Sequence, residues 1–184
     1  MSEQRDRMLR GDLYLADDPV LLEERARAQR VLERFNATRV DSQDSRRALL
    51  VELLGAFGEG AAILPPLRCD YGYTTTVGER TFINYGAIIL DPARVRIGAD
   101  VQIGPNVQLL TATHPVDAGT RRARWESAQS ITVEGGAWLG GGVIVCPGVT
   151  IGADAVIGAG SVVTRSIPPG VVAVGNPCRV MREL

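Results

Sequence analysis

The chain of 184 residues contains no lysine; all 20 of its basic residues are arginine. That excludes any lysine-based catalysis. Histidine occurs once, at His114. A zinc enzyme built on several imidazoles of one chain is therefore excluded, and no metal is expected. Cys69, Cys146 and Cys178 are an odd, scattered set without a CxxC pair. They supply neither a disulfide framework nor a cysteine zinc site, and they fit a reducing, cytoplasmic setting. No run approaches the roughly 18 apolar residues that span a bilayer. The opening MSEQRDRM is charged where a signal peptide needs an apolar stretch. Net charge is −1, so neither a nucleic acid nor an anionic membrane is expected as a partner.

What is present is a beat of six. Ile97, Ile103 and Leu109 share one register with Val133, Leu139, Val145, Ile151, Ile157 and Val163, while Val77, Ile83 and Ile89 form an earlier series offset by two residues at Pro92-Ala93. The residue after each of these aliphatics is glycine in six of the twelve cases (Gly78, Gly98, Gly104, Gly140, Gly152 and Gly158). A fixed six-residue period predicts a parallel β-helix, in which each short strand contributes one inward aliphatic to a continuous core column. Three hexapeptides close a coil, which predicts four to five coils from Val77. The glycines read as corners where the backbone takes positive φ. The beat breaks between Thr111 and Ser130 but keeps its register, so 111–130 reads as an excursion loop, a place where function tends to sit. The tail 167–184 reads as leaving the helix axis and capping its open end.

Residues 1–58 are a different material, with helix signals, and 59–184 form the β-helix part. Ser2 reads as the cap of a short helix that stops at Gly11. Asp18-Pro19 reads as the start of a longer helix through Phe35. A third helix is expected from about Asp44 to Phe57. This unit is too small to stand alone and is expected to pack on the first coil or on a neighbour.

Six stretches carry a resemblance: Thr111-Ala112-Thr113-His114-Pro115, Trp138-Leu139-Gly140-Gly141, Cys146-Pro147-Gly148-Val149-Thr150-Ile151-Gly152, Gly175-Asn176-Pro177-Cys178-Arg179-Val180, and the junction Pro65-Pro66-Leu67-Arg68-Cys69-Asp70-Tyr71-Gly72-Tyr73 with Met8-Leu9-Arg10-Gly11-Asp12-Leu13-Tyr14 before it. Together they resemble the maltose and galactoside O-acetyltransferases, over essentially the whole chain. The resemblance implies a mainly-β fold, a left-handed parallel β-helix with a small N-terminal helical segment. It also implies acetyl-coenzyme A as donor, a sugar hydroxyl as acceptor, and a homotrimer with active sites between subunits.

Within that frame His114 is the candidate general base, since a neutral imidazole suits proton removal from a hydroxyl. A surface histidine before a turn proline is the plain alternative. The resemblance places Asn84 and Asp91 at acceptor positions, with a corner and a turn role competing. Asp70 stands where the galactoside enzymes carry a small hydroxyl residue. Asp17 lies one residue from a family carboxylate, Ala16 being the direct match, and Glu126 matches an acidic loop position. For the donor, Gly141 and Ala159 leave room for the pantetheine arm, Trp138 matches a position beside the groove, and Thr164, Arg165, Arg179 and Arg182 line its far end, where guanidinium suits phosphate. The rival readings are another acceptor (an amino sugar, a lipo-oligosaccharide, serine or an antibiotic) and a non-catalytic scaffold.

Overall fold

The computed structural model describes residues 2–184. Three parallel sheets form the faces of a prism. Face one stacks Ala56–Phe57, Thr75–Val77, Val95–Ile97, Ile131–Val133 and Thr150–Ile151. Face two stacks Ala62–Ile63, Phe82–Ile83, Gln102–Ile103, Trp138–Leu139, Val156–Ile157 and Val171–Val174, and Arg179–Glu183 then folds back antiparallel on the last of them. Face three stacks Leu67–Cys69, Ala87–Leu90, Gln108–Leu110, Ile144–Val145 and Val162–Val163. Nearly every strand sends an aliphatic inward, and several of the longer strands bury two side chains. Ile63, Ile83, Ile103, Leu139, Ile157 and Ala173 make the column of face two, all of them buried. Full burial of such a side chain contributes about 1.5–3 kcal/mol, so the six-residue beat and the core are the same fact.

Several expectations need correction. The first strand of face one is Ala56–Phe57, ahead of the expected boundary at 58, and residues 59–76 close a full coil. The third helix therefore ends at Leu53, because Phe57 is in a strand. The slip at Pro92-Ala93 is two extra residues in the corner between faces three and one, and the 70–74 corner below it carries the same insertion. The tail adds one more parallel strand, Val171–Val174, before Arg179–Glu183 doubles back to cover the open edge.

The glycines after the inward aliphatics do not turn the chain. The left-handed residues come two positions later: Arg80 (φ 55°), Asp100 (φ 59°), Asn106 (φ 57°) and Asp154 (φ 58°), with Gly86, Gly136, Gly142 and Gly160 in the equivalent places. Asn and Asp tolerate that region. The slot glycines answer a different demand, close contact between coils. A Cβ on Gly98 would sit 2.6 Å from the backbone nitrogen of Gly135. Gly98→Ala is therefore expected to cost about 1–3 kcal/mol by overpacking. A thermal melt matching wild type would contradict this.

The N-terminal helices are α1 (Glu3–Arg10), α2 (Pro19–Asn36) and α3 (Gln43–Leu53). Ser2 caps α1 by accepting from the Arg5 amide, and Gly11 ends it at φ 80°. Asp18 caps α2 by accepting from the Val20 and Leu21 amides, with Pro19 in its first turn. One side of α2 and α3 (Val31, Leu32, Phe35, Leu50 and Leu53) joins the prism core. Polar groups of α2 satisfy the free edge of face three. Asn36 exchanges bonds with Leu67 (2.8 and 2.9 Å), and Gln29 donates to the Cys69 carbonyl (2.8 Å). An exposed edge that would invite pairing is thus closed by side chains of the same chain.

The excursion is ordered. Ala112–Thr113 pairs antiparallel with Trp125–Ala128, the short helix α4 (Ala118–Arg122) spans the tip, and Tyr14–Leu15 pairs with the other side of Trp125–Ala128. The N-terminal segment is thus strapped both to the prism and to the histidine loop. Among the described residues, no helix is long and apolar enough to cross a membrane.

Candidate active site

The loop leaves the prism at the edge between faces three and one, and its first turn carries His114, which is exposed. Below it lies a cavity of about 380 Å³ lined by Ala16, Asp17, Leu22, Arg25, His114, Arg121, Arg124 and Glu126. Asp17 comes from the turn before α2 and pairs with Arg124 of the loop at 2.9 Å. The helix cap is Asp18, so Asp17 is free of that role. Its neighbour Ala16 lines the same cavity, so both residues of the ambiguous match reach it.

Arg25 of α2 lies between the acids. Its Nε is 3.4 Å from Asp70 Oδ1, and its guanidinium stacks over the Tyr71 ring at 5.6 Å. Burial works against its charge, but Tyr71, Asp70, Glu126 and Tyr14 hold it above the ordinary arginine value. Burial pushes the Asp70 carboxyl up, and Arg25 opposes that shift. The Tyr71 phenol is pushed up to about 12, first by burial. Glu126 is held by Tyr14, whose hydroxyl donates to its Oε2 at 3.2 Å.

The sequence pattern missed Arg25 and Tyr14. A signal for Arg25 existed: it interrupts the buried α2 stripe of Leu21, Ala28 and Leu32, where a charge calls for a partner. Tyr14 is 112 residues from its partner, and no local spacing reveals such a contact.

Asp91 requires a correction. It is fully buried. Its Oδ1 accepts from the amides of Asp70 (3.0 Å) and Tyr71 (2.9 Å), and its Oδ2 accepts from the Gly72 amide (2.9 Å) and the hydroxyls of Thr75 (2.8 Å) and Thr74 (3.0 Å). Nothing of it remains for an acceptor. It fixes the turn that presents Asp70 and Tyr71 to Arg25. Asn84 also lies outside the cavity, in the corner between faces two and three, where its Oδ1 accepts from the Tyr85 amide at 2.8 Å. Its φ is not positive, so the corner reading based on left-handed backbone does not apply.

The donor candidates gather on the edge between faces two and three. Tyr85, Pro105, Gly141 and Ala159 stack up that edge, one per coil; the amides of Asn106, Gly142 and Gly160 donate to Tyr85, Pro105 and Gly141. The Gly140 and Gly142 amides are taken by Ile157 and Pro105, both at 2.8 Å. Among the described residues the Gly141 N–H has no partner. Trp138 is exposed rather than part of the core. Its outward row on face two continues through Val156 and Val172 to Arg182. Arg179 lies on the same terminal strand, and Thr164 and Arg165 follow the last strand of face three. Among the described residues, Arg165, Arg179 and Arg182 form no ion pair, and all three are exposed.

A hexapeptide β-helix with a histidine loop on one edge and an open, arginine-ended edge beside it defines the hexapeptide-repeat transferases. Residues 7–58 match the Maltose acetyltransferase hexapeptide capping motif, and residues 130–165 match the Bacterial transferase hexapeptide (six repeats). The chain is 38% identical to the galactoside O-acetyltransferase of Escherichia coli, over 97% of this chain and 88% of that one. It superposes on the maltose O-acetyltransferase of Clostridium difficile with TM-score 0.98 at 44% identity, covering 100% of this chain and 98% of that one. A galactoside acetyltransferase solved in complex with coenzyme A matches with TM-score 0.95 at 37% identity, covering 100% of this chain and 92% of that one. The chain belongs to the maltose and galactoside O-acetyltransferase family and is an acetyltransferase of the hexapeptide-repeat class.

Proposed function

We propose that the protein transfers the acetyl group of acetyl-coenzyme A to a hydroxyl of a sugar, in a site shared between copies of the chain. The observation that carries this reading is the cavity under His114. It sets an imidazole beside two carboxylates, Asp17 and Glu126, and a fixed guanidinium, Arg25. Acids and bases there are nearly balanced in charge, and Leu22 and Ala16 supply an apolar side. Such a lining fits a neutral, hydroxyl-rich ligand with a ring face to cover.

The donor edge is a different edge of the prism, so one chain does not close the site. Face three lies between the two edges. Its outward row is Arg68, Ile88, Gln108, Ile144 and Val162, whereas the outward row of face one is Ala56, Thr76, Arg96, Thr132 and Thr150. The aliphatics of face three favour it as the interaction surface. Three copies packed about an axis along face three set the histidine loop of one against the Gly141 edge of the next.

In this site His114 removes the proton from the acceptor hydroxyl as that oxygen attacks the thioester carbonyl. The Gly141 N–H donates to the oxyanion that forms. The C–S bond then breaks, and the thiolate takes the proton back from the imidazolium. The pantetheine arm runs up the Gly141–Ala159 edge beside Trp138, and Arg165, Arg179 and Arg182 receive the phosphates. No acyl-enzyme forms in this scheme.

The test is thiol release from acetyl-coenzyme A across a panel of sugars and amines, with sedimentation of the same preparation. Sugar-dependent release by a trimer is expected. Release with amines alone, or a monomer at full activity, would refute the reading.

A further inference from the structure

The hydroxyl of Tyr14, in the N-terminal strand Tyr14–Leu15, reaches a side chain of the cavity. The tyrosine is fully buried, and its ring packs among Met8, Leu21 and Tyr71. Its backbone pairs antiparallel with that of Glu126, and Leu15 pairs with Trp125. Ring and backbone together account for its structural role, and a phenylalanine would fill both. The hydroxyl needs a separate reason, since burying one without a partner costs free energy. That partner is Glu126 Oε2, at 3.2 Å. The other oxygen, Oε1, has no protein partner among the described residues, and Glu126 lines the cavity beside His114, Asp17, Arg25, Arg121 and Arg124.

We infer that Tyr14 is a positioning residue for acceptor binding: it holds one oxygen of Glu126 so that the other is fixed toward the hydroxyls of the sugar. A glutamate at a loop strand has several rotamers, and fixing one before the ligand arrives removes the cost of ordering it on binding. The N-terminal segment thereby acts on the acceptor in two ways. Asp17 and Arg25 line the cavity directly, and Tyr14 acts through Glu126. The donor edge is untouched by this contact, so its effect belongs to the acceptor alone.

The inference rests on the sugar acetyltransferase reading, and the test separates the two. Tyr14→Phe, Glu126→Ala and the double variant are compared with wild type in steady-state kinetics and thermal melts. Tyr14→Phe is expected to raise KM for the sugar roughly tenfold, as loss of a hydrogen bond to a charged group does. The KM for acetyl-coenzyme A stays at the wild-type value, and the melting temperature falls by only a few degrees. In the Glu126→Ala background the same substitution changes nothing further. A Tyr14→Phe enzyme with wild-type sugar KM, or an equal loss with and without Glu126, overturns the inference while wild-type turnover leaves the reading standing. Absence of sugar-dependent turnover in wild type overturns both.

Discussion

His114→Ala lowers sugar acetylation by roughly 10²–10⁴-fold, the usual worth of a positioned general base, and leaves the melting temperature unchanged. The side chain is exposed and makes no hydrogen bond among the described residues. The loop around it is held by other means: the pairing of Ala112–Thr113 with Trp125–Ala128, the Arg121 bonds to the Pro115 and Val116 carbonyls (both 2.9 Å), and the Asp117 cap on α4. Accepting two hydrogen bonds from Thr120 also holds the Asp117 carboxyl below the usual carboxylate range. Loss of rate without loss of fold is therefore the signature of the base. The residual rate comes from positioning, which the cavity and donor edge retain. A variant with near-normal turnover would remove His114 from the chemistry.

Asp91→Asn has its largest effect on stability. The wild-type carboxylate accepts five bonds, three from backbone amides and two from threonine hydroxyls. An amide offers one acceptor oxygen and turns an NH₂ toward groups that are themselves donors. Bonds to a charged group contribute about 1.5–3 kcal/mol each, and a buried donor left unpaired costs further, so a loss of about 3 kcal/mol or more is expected. For a chain of this size that corresponds to a fall in melting temperature of about 6–12 °C. The turn 70–75 loosens with it, so Asp70 no longer holds Arg25, and KM for the sugar rises while that for acetyl-coenzyme A does not. An unchanged melt would mean that the turn is fixed by something else. An unchanged melt with a raised sugar KM would return Asp91 to the acceptor.

The two variants illustrate what the sequence carries and what it leaves out. The core columns are legible because each inward aliphatic recurs at a fixed distance, and the register across the excursion, Leu109 to Val145, follows from counting alone. The loop is legible as the place where the count fails. The coil's left hand has no signature in the period and came only through resemblance. The slot glycines were misread because glycine answers two needs. It supplies positive φ, or it leaves out a Cβ; at Gly98 and Gly140 the next coil leaves no room for one, and the turning is done two residues later. The resemblance puts Asp91 at an acceptor position with a turn role beside it, and burial, which a sequence does not show, decides for the turn. The cavity brings together residues near positions 14, 25, 70, 114 and 126, which the sequence holds far apart. They are joined by tertiary contacts: the strap of Tyr14–Leu15 on the loop, the Asp17–Arg124 pair and the Arg25–Asp70 pair.

The most direct measurement follows the acetyl group itself. Acetyl-coenzyme A labelled with carbon-13 at the carbonyl is turned over with a sugar acceptor, and the product is read by NMR. The account predicts an ester carbonyl coupled to a proton on a sugar carbon bearing oxygen, formed in step with free thiol and with no label retained on the protein. Label appearing as free acetate, as an amide, or as a covalent adduct of the chain would contradict it.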